Sequence, residues 1–296
     1  MNKICGKSIF VLVCLLNTGL SFAEEPIVPF DQKFALSVSA KYNVEMFLHQ
    51  GADYASYSTD RPLDIGLGFR YKWLAASAYI PVNFKFTSFD VALNLYFQRM
   101  YFETAFKRYE NFYPGEDTGE KKNAGLDIMS SGILAGWIHN YKNHSLRSVF
   151  TLSEGQTASS GSFLYGFGAF YTSVLSKNDT LPRYKERQHI VYFGPTGGYS
   201  YTWILPFDIF LNAGINVGAN LGIDINEPGA LFIPQINPRI AFGYHHTSWS
   251  INMVMGCNAS LLLWSKDDIE ILVPATVTHL DVLLFPLLLN KSNECI

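Results

Sequence analysis

The chain is short of charge. Asp, Glu, Lys and Arg make up 16% of its 296 residues, against roughly a quarter in ordinary soluble domains. Its 22 basic residues do not outnumber its 25 acidic ones. The cationic excess needed to neutralise a phosphate backbone is missing, which excludes nucleic acid as a partner. Cysteine is scarce: 4 in all, of which Cys5 and Cys14 lie near the start and only Cys257 and Cys295 further on. Two late cysteines do not make a disulfide framework. Long hydrophobic runs are also absent. The longest apolar stretches, Ile9 to Leu16 and Val282 to Leu289, cover less than half of the roughly 20 residues with which a helix spans a bilayer. Aromatics, by contrast, reach 15%, which excludes intrinsic disorder.

The first 23 residues read as an address. Lys3 and Lys7 form a short positive region, Ser8 to Leu20 an apolar core, and Ser21-Phe22-Ala23 a small-x-small cleavage pattern. These are the marks of a secretory signal peptide. Cys14 does not suit a lipid anchor, because Val13 before it is not small. Residues 24–296 are then expected to form one domain, with no linker and no low-complexity tract.

That domain alternates with period two. From Phe34 to Leu48 every even position is apolar, while Ser37, Ser39, Lys41, Asn43 and Glu45 hold odd positions. Such a strand is about 50 Å long, well beyond the usual five or six residues. The pattern recurs over Leu63 to Trp73, Phe89 to Phe97, Phe163 to Tyr171, Phe207 to Leu221 and Trp249 to Leu261. One face of each ribbon is oily and the other wet. The wet faces are rich in Gly, Ser and Asn, and aromatics gather near strand ends at Tyr71, Trp73, Tyr96, Phe97, Tyr199, Tyr201, Trp203 and Trp249. Together these predict an all-β, antiparallel transmembrane β-barrel, with the oily face toward lipid and aromatic girdles at the interfaces.

Short turns are expected near residues 72–75, 98–99, 140–145, 205–208 and 245–248. Longer loops are expected over 50–61, 110–125, 153–161, 176–187, 222–234 and 264–268. This segmentation gives twelve or thirteen strands. An even number is required, so twelve is expected and fourteen comes second. Short and long connections alternate between the rims only until about residue 160, which places a missed or invented strand at 153–188 or after Ile269.

Several segments carry a resemblance. They are Arg61-Pro62-Leu63-Asp64-Ile65-Gly66-Leu67-Gly68-Phe69; Phe89 to Phe112 with Leu93-Asn94-Leu95-Tyr96 and Lys107-Arg108-Tyr109-Glu110-Asn111-Phe112-Tyr113; Gln156 to Gly166; and Gly197-Gly198-Tyr199-Ser200-Tyr201-Thr202. In this order they resemble the bacterial domain-of-unknown-function family 4421. The resemblance implies an outer-envelope β-barrel and carries over no catalytic residue.

Chemistry is thin on the ground. His49, His139, His144, His189 and His279 are isolated, and His245-His246 lacks a third ligand at metal spacing. No Cys-x-x-Cys, phosphate loop or Gly-x-Ser-x-Gly elbow occurs. Gly194-Pro195-Thr196-Gly197-Gly198 lies within a predicted strand and reads as close backbone packing. No catalytic residue, metal or cofactor is expected. With the oily faces outward, Lys41, Glu45, Asp64, Arg70, Lys72, Asp90, Glu103, Lys107, Arg147 and Arg239 are the candidate lumen-lining charges. Such charges either pair to fill the barrel or set the selectivity of a channel.

The expectation is an outer-membrane protein that meets outer-membrane lipid and the barrel-assembly machinery. Its role is a small-solute or lipophile passage, or a structural component of the envelope. One alternative is a soluble periplasmic barrel with a hydrophobic ligand inside, which would bury Leu36, Val44, Ile65 and Ile215. Another is a barrel lipid hydrolase or acyltransferase, for which only His279 and Ser248 could be recruited, without an evident base or oxyanion donor.

Overall fold

Alternation becomes strand almost everywhere in the computed structural model. It describes residues 25–284, apart from 32–33, 51–53, 60–62, 83–87, 115–122, 179–180, 182–183, 227–228, 246–248 and 266–267. The expected signal peptide therefore lies outside the described residues. In chain order come β1 (Ile27–Pro29), β2 (Phe34–Gln50), β3 (Tyr54–Thr59), β4 (Leu63–Tyr71), β5 (Leu74–Pro81) and β6 (Phe89–Tyr96). Next are β7 (Met100–Glu110), β8 (Phe112–Pro114), β9 (Leu126–Ile138), a single helical turn α1 (Arg147–Phe150) and β10 (Glu154–Gln156). Then follow β11 (Ser160–Ser176), β12 (Gln188–Leu205), β13 (Ile209–Asp224), β14 (Ala230–His245), β15 (Trp249–Cys257), β16 (Ala259–Ser265) and β17 (Asp268–Leu284).

The main sheet runs antiparallel between neighbours in sequence and closes on itself. β17 pairs with β2 from Leu284 opposite Leu36 to Ile269 opposite Gln50. β15 and β16 hold one register against β14, with Arg239 opposite Gly256 and Ile236 opposite Ala259, so they form one stave interrupted at Asn258. Counted this way, the described residues form a barrel of twelve staves: β2, β4, β5, β6, β7, β9, β11, β12, β13, β14, β15 with β16, and β17. The β17–β2 pairing leaves neither of these staves as an open edge. The staves differ in height. β4, β5 and β6 are 9, 8 and 8 residues long, while β11 and β12 have 17 and 18. Above the short ones β3 pairs with the upper part of β2 and with β8, extending the wall.

Burial is inside out. Leu36, Val38, Leu67, Phe163, Val217 and Leu221 are among the large apolar side chains exposed on the outside, while Ser37, Ser39, Asn212, Asn220 and Asn252 are buried within. The soluble alternative requires the reverse, and Leu36, Ile65 and Ile215 are each at least 39% exposed. That arrangement is therefore corrected: the oily face is the outer one. Val44's side chain lies outside the described residues. Aromatic contacts ring the rim of tight turns: Trp73 stacks on Phe97 with ring centres 5.4 Å apart, Phe163 meets Tyr199 edge to face at 5.1 Å, and Tyr201 with Trp203 and Tyr244 with Trp249 are tilted pairs at 4.7 and 5.3 Å.

The connection 139–159 departs from expectation. The sequence predicts a short turn at 140–145 and a separate longer loop at 153–161. Instead the whole stretch leaves the tight-turn rim and folds into the barrel mouth. Its α1 buries Ser148 and Val149, and β10 pairs antiparallel with β1, so β1 and this stretch form one plug. The strand count loses step at this point because a long connection sits on the short-turn rim. The loop expected over 222–234 is also shorter: β13 runs to Asp224 and β14 starts at Ala230.

Candidate functional site

Two apolar cores sit in the lumen, one at each end. Toward the long-loop rim, Phe47, Tyr109, Phe112, Ile190, Tyr192 and Ile233 point inward and are joined by Leu181 and Tyr184 from the connection after β11. Phe47 meets Tyr184 edge to face, with ring centres 5.8 Å apart. At the tight-turn rim, the plug supplies Leu146, Val149 and Leu152, which pack against Tyr96, Tyr101, Leu134, Ile138 and Phe210 from the wall. Glycines make room for the wall aromatics. A Cβ on Gly66 would lie 2.4 Å from the Tyr79 ring, and one on Gly136 would lie 2.5 Å from Tyr101.

Between these clusters lies a chamber of about 330 Å³ whose lining mixes charges and amides with aromatic and aliphatic side chains. Its charges are arranged in two groups. On one wall, Lys41 from β2 forms an ion pair with Asp90 from β6, and Lys107 from β7 approaches the same carboxylate at 3.7 Å. Tyr109 donates to Asp90 at 3.5 Å, and the Lys41 ammonium lies 5.0 Å from the Tyr79 ring centre. The second group crosses the lumen. Arg239 on β14 donates from Nη1 and Nη2 to the two Glu103 oxygens on β7, at 2.7 and 2.6 Å. β7 and β14 are five staves apart in a ring of twelve, so this bidentate pair is a strut from wall to wall. Tyr96 donates to Glu103 at 2.7 Å. Each of these charges therefore meets an opposite charge, as burial in a confined space demands, and Arg70 in the same lining donates from Nη1 to the Ala76 carbonyl at 3.3 Å.

The plug is fastened to the strut. Its Phe150 stacks on Tyr96 with ring centres 5.6 Å apart, and the Arg239 guanidinium lies 5.9 Å from the Phe150 ring. Asn252 donates from Nδ2 to the Val149 carbonyl at 2.9 Å. Lower down, Glu154 accepts from Ser145 and forms an ion pair with Arg147, all three belonging to the plug. His144 is fully buried there. Its Nδ1 donates to the Ser160 carbonyl at 3.2 Å, and Nε2 has no partner among the described residues. Burial pushes its pKa down to about 4.

Of the sequence-derived candidates, Lys41, Arg70, Asp90, Glu103, Lys107 and Arg239 line the chamber. Asp64 is buried opposite Lys41 in the β2–β4 register. Glu45 stands opposite Pro274, and its side chain lies outside the described residues. Two candidates sit elsewhere. Lys72 is exposed at the β4–β5 turn with a positive φ of 47°, because the stave ends at Tyr71. Arg147 belongs to the plug and not to a stave. The charged candidates leave out an amide lining of Asn94, Gln235, Asn237, Asn252 and Asn258, of which Asn94, Asn252 and Asn258 already stand on wet faces in the sequence. Their inward alternation was the available signal. Gly194 and Gly198 do lie inside β12, where a Cβ would strike the Ala219 and Ile215 carbonyls of β13 at 2.1 and 2.3 Å. Cys257 is half-buried and in no disulfide. Among the described residues no three His, Cys, Asp or Glu side chains gather as a metal site, and no helix is long and apolar enough to cross a membrane.

No curated protein matches the chain. Solved structures similar to it include OmpT, an outer membrane protein of Vibrio cholerae in its in-vitro folded trimer form, at 8% identity and a TM-score of 0.28, covering 85% of this chain and 99% of that one. A loop L8 deletion mutant of OmpT is similar at 7% identity and a TM-score of 0.27, with 85% and 99% coverage. The family model described as Domain of unknown function (DUF4421) matches residues 27–263, and the chain belongs to that family.

Proposed function

We propose that the protein is a bacterial outer-membrane barrel for a small polar solute, closed at rest and without a catalytic site. One observation carries the reading: a chamber lined by charges and amides lies inside an apolar outer wall, with apolar side chains packed toward both of its ends. The outer wall suits hydrocarbon, because exposed Leu67, Phe163 and Leu221 would be costly in water as a contiguous belt. Passage then requires the plug to move, since Phe150 and Val149 occupy the tight-turn mouth. The same wall would bring the chain to outer-membrane lipid and the barrel-assembly machinery.

Planar-bilayer recording tests this. The intact barrel is expected to show rare or no conductance, and deletion of residues 140–158 with a short Gly-Ser bridge is expected to give steady single-channel steps. A deletion barrel that folds, as read by heat-modifiable gel mobility, and still conducts nothing would reject passage and leave a purely structural role.

A further inference from the structure

Charges that the lumen does not use meet on the outer wall at the long-loop rim. Arg108 and Glu110 face outward from β7, Asp127 from β9, Lys177 follows β11 and Arg187 precedes β12. Asp127 Oδ2 accepts from Arg108 Nη2 at 3.0 Å and from Arg187 Nη2 at 2.6 Å, while Oδ1 accepts from Arg108 Nε at 3.2 Å. Arg187 Nη1 also donates to Ser173 Oγ at 3.1 Å. Glu110 accepts from Arg108 at 2.7 Å and lies 3.6 Å from the Lys177 ammonium. The layering is uneven. The Asp127 side chain is 1% exposed, whereas those of Arg108, Arg187 and Lys177 are 38, 31 and 49% exposed.

The acid is therefore the base of the cluster and the cations are its outer surface. Two guanidiniums sharing one carboxylate oxygen are close enough to grip a single phosphate between them, with geometry that a lysine pair would not fix. Toward mid-wall the same outward faces carry Phe106, Phe167 and Phe193, all at least 37% exposed. Long connections face the cell exterior in barrels of this kind. We propose that this patch holds the phosphorylated headgroup of an outer-leaflet lipid, its acyl chains lying along the aromatic wall below. The proposal rests on the membrane reading above. Charge complementarity at the upper edge of the apolar belt selects this occupant.

The test uses the full chain refolded in non-ionic detergent. Bound lipid is read by native mass spectrometry and by the thermal unfolding midpoint. The probes are lipid A with both phosphates, the same lipid dephosphorylated, and inorganic phosphate. Phosphorylated lipid A is expected to bind at least tenfold more tightly than the dephosphorylated form. Arg108→Gln with Arg187→Gln should lose that preference, with Arg108→Gln alone serving where the pair does not fold. Glu110→Gln, which removes a competing carboxylate, should bind more tightly than wild type. Equal binding of both lipids, an unchanged preference in the folded Arg variants, or equal protection by inorganic phosphate would overturn the proposal. A chain that inserts into vesicles yet holds both lipids alike overturns this proposal alone. A chain that stays dispersed in water overturns the membrane reading along with it.

Discussion

At the scale of single residues, the strut and the plug histidine carry the clearest consequences. Arg239 neutralises Glu103 across the lumen with two hydrogen bonds. Arg239→Met leaves a carboxylate facing the chamber with only Tyr96 as donor. A loss of about 3 kcal/mol is expected in urea unfolding of the detergent-folded barrel. Adding Glu103→Gln should return much of it, and an unchanged midpoint for the single variant would show that the pair bears no load. His144 sets a pH dependence. Its folded pKa of about 4 lies below the unfolded value of 6.5, because burial disfavours the charged imidazolium. Its contribution is present above pH 6.5 and lost as pH falls toward 4, by about 3 kcal/mol. Hydrogen exchange at residues 139–159 should rise over that window in wild type, and His144→Phe should flatten the profile. The charges at these positions were legible in the sequence, since inward parity follows from an outward oily face. Their partners were not. A contact between residues 103 and 239 depends on barrel closure, which no local pattern encodes.

At the scale of elements, alternation marked six staves directly, β2, β4, β6, β11, β13 and β15 with β16, and failed at the plug. Between Asn140 and Ser153 the sequence offers Leu146, Val149, Phe150 and Leu152, spaced neither by two nor by a sustained helical period. Their solvent is the interior of a barrel built by other segments, so a rule that assumes lipid on one side and water on the other misreads them. The staves themselves allow a direct check. Val217 lies mid-way along β13, opposite Gly197 and Ile236, and is 50% exposed. Val217→Arg should cost about 2 to 4 kcal/mol of insertion into vesicles, measured by titrating folded against unfolded protein. A cost near zero would place this side in water.

At the scale of the whole molecule, one choice of solvent organises everything else. Closed hydrogen bonding around twelve staves satisfies the backbone without water. The apolar belt turns outward, and the scarce charges are drawn inward where they must pair. The tall half of the wall and its inward-folding connection cap one end, and the plug caps the other. Adjacent residues on β13 distinguish this arrangement from its inverse most directly. With the native cysteines replaced by serine, nitroxide labels at Val217→Cys and Asn216→Cys are read in lipid vesicles by their collisions with dissolved oxygen and with an aqueous nickel chelate. The label at 217 should collide strongly with oxygen and weakly with nickel, while the label at 216 should be shielded from oxygen. Oxygen reaching 216 while 217 is immobile and shielded would contradict the account.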